Sequence, residues 1–190
     1  MATIHRTTMV PTKLELLTAW LPRQPWYRPT GAPPALRRAG GFRLDDPTGE
    51  VGLEFVVVTD GPPGGETTYF VPLSYRGAPL AGAEESLVGT SEHGVLGLRW
   101  IYDAAADPVA IAQLLALARG AAQAQHQDDS DTLDPSVIRR WSGDDETRPA
   151  VELVRVLPED GEAGSGIGSV EAGWTRADGR PARGTVVVVR

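Results

Sequence analysis

The side chains with the most evident chemical capacity are aromatic: Trp20, Trp26, Tyr27, Trp100, Tyr102, Trp141 and Trp174. Their faces stack on sugar rings and anchor protein interfaces, because each buries a large rigid surface and keeps a polar handle. Trp26 and Tyr27, with the adjacent Arg23 and Arg28, form the candidate binding surface, since their proline-bounded setting is hard to bury completely. Core packing is the competing role. It suits Trp20, beside the apolar face of a helix, and Trp100, which alternates with Tyr102 on a strand.

The other reactive groups do not assemble into a catalytic pattern. His5, His93 and His126 are scattered, without a His-x-x-x-His spacing or a cysteine partner, so zinc would need distant carboxylates. Ser91, Glu92 and His93 adjoin in sequence, where side chains rarely converge, and no Gly-x-Ser-x-Gly turn accompanies them. Asp45-Asp46 and Glu84-Glu85 are adjacent pairs, whereas glycoside hydrolysis needs two carboxyls across a substrate. The chain is too short for the barrel of a glucan-branching enzyme. The run Gly164 to Gly168 has a superficial likeness to a phosphate loop and reads as a linker. No catalytic residue, metal or cofactor is expected.

Composition bounds the class. The 190 residues are 41% hydrophobic, enough for one sizeable domain or two small ones. With 22 glycines and 16 prolines, a fifth of the chain favours turns and short strands over a helical bundle. Cysteine is absent, which excludes disulfides and thiolate chemistry. A net charge of −7 argues against nucleic acid as a partner, and no apolar run is long enough for a signal core or a membrane span, so a cytoplasmic location is expected. Residues 1–40 depart from this average, holding Arg6, Lys13, Arg23, Arg28, Arg37 and Arg38 against one acid, Glu15. That basic face either meets an acidic partner or phosphate, or is solvated and balanced by the chain's own acidic loops.

The elements that would position these groups follow from local signals. An extended start at Thr3–Thr8 leads to Thr12 and Glu15, spaced as a capping box, and a helix carrying Leu14, Leu17 and Leu21 until Pro22 and Pro25 end it. Pro29 to Pro34 reads as a loop, Gly41–Asp46, Val51–Thr59 and Thr67–Tyr75 as strands, with turns at Asp46–Gly49 and Asp60–Gly65. Pro72 marks an edge, a bulge or a break in the ladder. A link from Arg76 to Gly82 precedes a strand near Val95–Tyr102, and Asp107-Pro108 caps a second helix expected to bury Ile111, Leu114, Leu115, Ala118 and Ala122. Gln123 to Asp134 is polar and is taken as the main boundary. Strands are expected at Val137–Trp141, Val151–Leu157, Ser169–Thr175 and Thr185–Val189, with turns at Asp160-Gly161 and Asp178-Gly179.

The Pro11 to Leu17 run, Trp20-Leu21-Pro22 with Gln24-Pro25-Trp26-Tyr27, the Gly89 to Gly97 run around Glu92-His93, Arg99-Trp100, Tyr102-Asp103 and Asp107-Pro108-Val109 together resemble the N-terminal cap of the actinobacterial maltokinases over roughly residues 1–120. The resemblance implies an α+β fold: a curved antiparallel sheet with two main helices in a cystatin-like cap, residues 1–125, and a short β-rich C-terminal part, residues 126–190. In that family the cap precedes a kinase that uses ATP and magnesium to phosphorylate maltose. The catalytic parts of such a kinase do not carry over. Such a kinase places a phosphate-binding lysine, or an equivalent cation, on an N-lobe strand and its two aspartates in loops expected to lie beyond this chain; here the sole lysine is in the first helix, and Val95 follows His93-Gly94 where a catalytic aspartate would stand. Arg155 would take the lysine's strand if the C-terminal strands were a kinase N-lobe remnant; the region joining cap to kinase is the other possibility. The resemblance thus implies a non-catalytic accessory or regulatory protein for an enzyme of maltose, trehalose or glucan metabolism. An α-glucan or maltose-binding module is the alternative, and part of a split sugar phosphotransferase a third.

Overall fold

The computed structural model describes residues 9–127, 129, 132–144, 149–158 and 166–190. The expected strand at Thr3–Thr8, His5, Arg6, the turn at Asp160-Gly161 and the first residues of the Gly164 to Gly168 run lie outside them. A two-residue strand β1 (Met9–Val10) precedes helix α1 (Lys13–Trp20). Thr12 caps α1 as its spacing predicts: its hydroxyl accepts the Glu15 N–H, and the Glu15 carboxylate accepts the Thr12 N–H at 2.7 Å. Leu17 and Trp20 are buried, and a 3-10 turn over Leu21–Arg23 takes the place of further α-helix where Pro22 enters.

Strands β2 (Arg37–Leu44), β3 (Gly52–Asp60) and β4 (Thr67–Arg76) form an antiparallel meander, and β5 (Leu87–His93) with β6 (Gly97–Asp103) adds a hairpin. Strand β5 was not expected; its residues carry no clear alternation. Helix α2 (Pro108–Arg119) follows, capped by Asp107, whose carboxylate accepts the Val109 N–H, and closed by Gly120 at φ 82°, a left-handed position that suits glycine. Of the row expected for α2, Leu114 and Ala118 are buried and Leu115 and Ala122 pack partly buried against the same core, while Ala110 and Leu117 are buried in addition and Ile111 is half-buried. The helix is apolar nearly all round, so its periodicity does not choose a face; packing does.

The C-terminal strands β7 (Ile138–Trp141), β8 (Val151–Leu153), β9 (Val156–Leu157), β10 (Gly168–Thr175) and β11 (Pro181–Val189) join the same sheet. The main path runs β1-β5-β6-β4-β3-β2-β10-β11-β8, with β7 on β10 and β9 on β4. The fold is therefore α+β and dominated by one open antiparallel sheet of 11 described strands, with two helices. The polar segment taken as a boundary is held to the sheet: Gln125 exchanges backbone hydrogen bonds with Arg43 at 2.9 Å, and Gln125 and Gln127 are buried. Between β2 and β10 the ladder narrows to one registered pair, Gly40 with Trp174.

Each face of the sheet has its own core. On one, Phe42, Phe55 and Phe70 stack at 4.8–6.4 Å and pack with Leu114 and Leu117 of α2. On the other, Val56, Val58, Tyr69, Val71, Leu73 and Ile101 receive Leu17, Trp20 and Leu21. Pro72 sits where the ladder is interrupted. The Phe70 N–H, on the side of β4 away from β3, donates to the Arg155 carbonyl. Two residues on, the nitrogen of Pro72 faces the same side, between the stretch paired with β9 (68–69) and the stretch paired with β6 (73–76). A residue without an N–H loses nothing in that gap. No helix among the described residues is long and apolar enough to cross a membrane.

Candidate functional site

The face that carries α1 divides into three parts along β3 and β4. Its middle lies under Leu17, Trp20 and Leu21. One end is covered by the segment around Trp26 and Tyr27. The other is open and forms a groove of about 650 Å³.

At the covered end the predicted binding residues do come together, but their rings turn inward. Trp26 meets Trp20 edge-on at 5.9 Å and Tyr69 at the same distance, while Tyr27 stacks on Tyr69 at 5.7 Å. The Tyr27 hydroxyl donates to Asp60 at 2.8 Å, and the other Asp60 oxygen accepts the Ala35 N–H at 2.8 Å. Burial first, and then the hydrogen bond to the Asp60 carboxylate, push the Tyr27 phenol up to about 12. Arg155 completes the cover: its guanidinium lies 5.1 Å over the Trp26 ring and one of its nitrogens donates to both Asp103 oxygens at 2.7 and 2.8 Å. Asp103 ends β6 and Arg155 precedes β9, so this pair spans the gap beside Pro72. Arg23 and Arg28 point to solvent; Trp26 and Tyr27 are half-buried.

The other groups weighed from sequence have local duties. His93 closes the β5–β6 hairpin, its Nδ1 accepting the Val95 and Leu96 N–H groups at 3.3 and 3.1 Å, and the Ser91 hydroxyl donates to the Pro11 carbonyl at 2.8 Å. Asp46 organises its own turn, accepting from the Thr48 hydroxyl and from the N–H groups of Thr48, Glu50 and Val51 at 2.6–3.0 Å. Burial alone would raise its carboxyl; these donors outweigh burial and hold it low. Asp45 accepts from Gln125 at 2.6 Å and Glu84 from the Gly82 N–H at 3.0 Å. Trp100 is half-buried and Trp174 buried, while Trp141 lies 5.0 Å beneath the Arg119 guanidinium. Among the described residues no group of three or more His, Asp or Glu side chains is placed to hold a metal ion.

At the open end, strand register sets the polar residues. Arg43, Glu54 and Leu73 stand in one row across β2, β3 and β4, and Tyr75 lies two residues further along the same face. The Glu54 carboxylate is fully engaged: Lys13 of α1 pairs with Oε1, Gln127 donates to it at 3.2 Å, and the Tyr75 hydroxyl donates to Oε2 at 2.9 Å. Gln127 reaches this far because Gly41 stands beside it at φ 128°; a Cβ there would lie 2.1 Å from the Phe55 carbonyl oxygen and 2.7 Å from the Gln127 amide nitrogen. Burial pushes the Tyr75 phenol well above its ordinary value, with the Glu54 charge adding to it, so Tyr75 is a hydrogen-bond donor here and not a base. His93, Leu96 and Arg99 of the hairpin face the groove from the other side.

This groove was not recognised in the sequence. A signal for it exists: Glu54 is the one charged residue of Gly52–Val58, and Arg43 falls between Phe42 and Leu44, which are both buried on the opposite face. A lone charge in so apolar a strand needs a partner or an opening to water.

Residues 20–107 match the family described as the maltokinase N-terminal cap domain, a little under half of the chain. The matched span contains Trp26, Tyr27, Arg43, Glu54, Tyr75 and Arg99; the Pro11 to Leu17 run, Lys13 and Gln127 fall outside it. No curated protein matches the chain.

Proposed function

We propose, from the match to the maltokinase cap over residues 20–107, that this chain is a non-catalytic cap module acting by contact with an enzyme of maltose, trehalose or glucan metabolism. That match is the observation that carries the reading. The cystatin-like unit of the cap would then be β2 to β6 with α1 against one face, in keeping with their antiparallel order. Groups that phosphoryl transfer would have to recruit are already engaged: Lys13 by Glu54, His93 by its hairpin, Arg155 by Asp103. The rings of Trp26 and Tyr27 pack on Trp20, Tyr69 and Arg155 and are half-buried, which leaves less of their faces for a partner or an α-glucan. Apolar side chains remain exposed around the β5–β6 hairpin, where Val10, Val95 and Leu98 are 66%, 62% and 39% accessible. A contact surface at this edge is what supports an accessory role.

The purified chain is titrated into a maltose-phosphorylating kinase and, separately, into enzymes that form or consume trehalose and glucan. Binding is read by calorimetry and turnover with and without the chain. A complex that Val95→Asp with Leu98→Asp weakens, while the fold is retained, supports the reading. No complex and unaltered rates with every enzyme, or sugar phosphorylation by the chain alone, overturns it.

A further inference from the structure

The groove beside the N-terminal end of α1 is lined by three cations, Lys13, Arg43 and Arg99, and three carboxylates, Asp46, Glu50 and Glu54. Of its three lining carboxylates, Glu54 is engaged by Lys13, Tyr75 and Gln127, Asp46 is engaged by its own turn, and Glu50 is exposed to water. Arg43 stands directly across the sheet from Glu54, yet makes no ion pair with it among the described residues, and its Nη1 is shielded from solvent without a partner. The same holds for Nε of Arg99, whose guanidinium otherwise reaches only the Leu96 carbonyl. A shielded guanidinium donor left unpaired is costly; Arg119 Nε and Arg155 Nη1 are in the same state, but Arg43 and Arg99 line one opening and, among the described residues, pair with no carboxylate, so both have capacity for an acceptor from outside the chain.

We propose that this groove binds a phosphorylated sugar, with Arg43 and Arg99 taking the phosphate. Arginine is suited to this by its planar array of donors, which matches phosphate oxygens and stays charged at every physiological pH. A volume of about 650 Å³ is that of a site for a small organic molecule and far exceeds what a bare ion fills. The net charge of −7 disfavours general uptake of anions, so binding would report this locus. The sugar half of the ligand rests on the function proposed above; the anion half rests on the two arginines alone. A cap bearing such a site would sense a phosphorylated product or precursor of the enzyme it contacts.

The test uses the purified chain and needs no partner, so its failure leaves the accessory role standing, and the loss of that role leaves this result standing. Calorimetric titration with glucose 1-phosphate, glucose, glucuronate and inorganic phosphate separates the components. The expected result is one-to-one binding of glucose 1-phosphate, at least about tenfold tighter than of each of the other three. Arg43→Met and Arg99→Met each weaken it by about tenfold or more. Leu96→Asp, at a groove position 44% exposed and so without cost to folding, weakens it by charge repulsion even if an arginine variant fails to fold. Arg180→Gln, on a distant turn, changes nothing. Absence of heat up to about 10 mM glucose 1-phosphate overturns the proposal. So does equal binding by Leu96→Asp, and so does equal affinity for inorganic phosphate, which leaves an ion site only.

Discussion

The two ends of the α1 face are built on the same strands, yet one is closed by packed aromatic rings and the other is open and lined mainly by charged and polar groups. Around Trp26 and Tyr27 the main groups meet partners within the chain: ring on ring, phenol on Asp60, and the Arg155 guanidinium on the Trp26 face and, through Nη2, on Asp103, although its Nη1 is left without a partner among the described residues. In the groove Glu54 and Asp46 are engaged, while Arg43 and Arg99 pair with no carboxylate among the described residues. Aromatic character alone therefore says little about where a protein binds. Capacity left over after the chain has satisfied itself is the better guide, and it points to the groove.

The largest effect that follows belongs to the covered end. Trp26→Ala should cost about 3 kcal/mol, the low end for deletion of a packed tryptophan because the ring is only half-buried. Removing Arg155 should cost about 2–3 kcal/mol, since its side chain and that of Asp103 are 14% and 12% accessible and Asp103 is left without its cation. Urea unfolding measures both, and the double variant should cost less than the sum because the two side chains touch. Additive costs would mean that Arg155 does not close the aromatic segment.

An ion pair on the other face offers a control that separates charge from packing. Asp107 is fully buried and paired with Arg76 through two hydrogen bonds of 2.7 and 2.8 Å. Burial would raise its carboxyl, but the Arg76 guanidinium and the Val109 N–H outweigh burial and hold it low. As pH falls below about 4 the unfolded chain takes up this proton first, so the stabilisation present at neutral pH is lost as pH drops through the folded value. Asp107→Asn keeps the helix cap and loses the charge. It should cost about 2 kcal/mol at pH 7, with the gap from wild type closing below about pH 4. A gap that persists in acid would assign the cost to packing.

A smaller effect returns to the covered end. Tyr27→Phe removes one hydrogen bond and should cost about 1 kcal/mol at neutral pH. Because the folded phenol is raised from 10.0 to about 12, the unfolded chain ionises first as pH rises. The stabilisation is whole below pH 10 and lost toward 12, so the wild type should lose stability across that interval more steeply than the variant. Alkaline unfolding followed by circular dichroism decides this.

How far the sequence carries depends on the range of the interaction. Thr12 with Glu15 and Asp107 with Pro108 place both helix starts, because a cap is complete within four residues. The strands of the meander are legible from their β-branched and aromatic runs. Strand β5 is not, because Gly89, Thr90, Ser91 and Glu92 are defined by pairing with β6 and not by a pattern of their own. The inward-turned Trp26 meets Arg155, more than a hundred residues later, and no local signal foretells that contact. The groove draws Lys13, Arg43, Glu54, Tyr75 and Gln127 from separate parts of the chain, so its charges could be noticed one by one in sequence but not its imbalance.

The smallest expected change in stability is the most telling, because its sign differs from all the others. Arg43 is largely sheltered and, among the described residues, its Nη1 has no partner, so replacement by methionine deletes a donor that is already unpaid while keeping the length of the aliphatic stem. Lost contacts of the guanidinium plane and the relieved desolvation oppose each other and are of similar size, on the order of 1 kcal/mol each. Arg43→Met should therefore leave the urea midpoint within about 0.5 kcal/mol of wild type, or raise it, where Arg155→Met lowers it by about 2. Two arginines on one sheet face would then differ in what they are for, one holding the fold and the other kept for a ligand. A loss at Arg43 as large as that at Arg155 would show that its pairing is met inside the protein after all, and the contrast between the two ends would disappear.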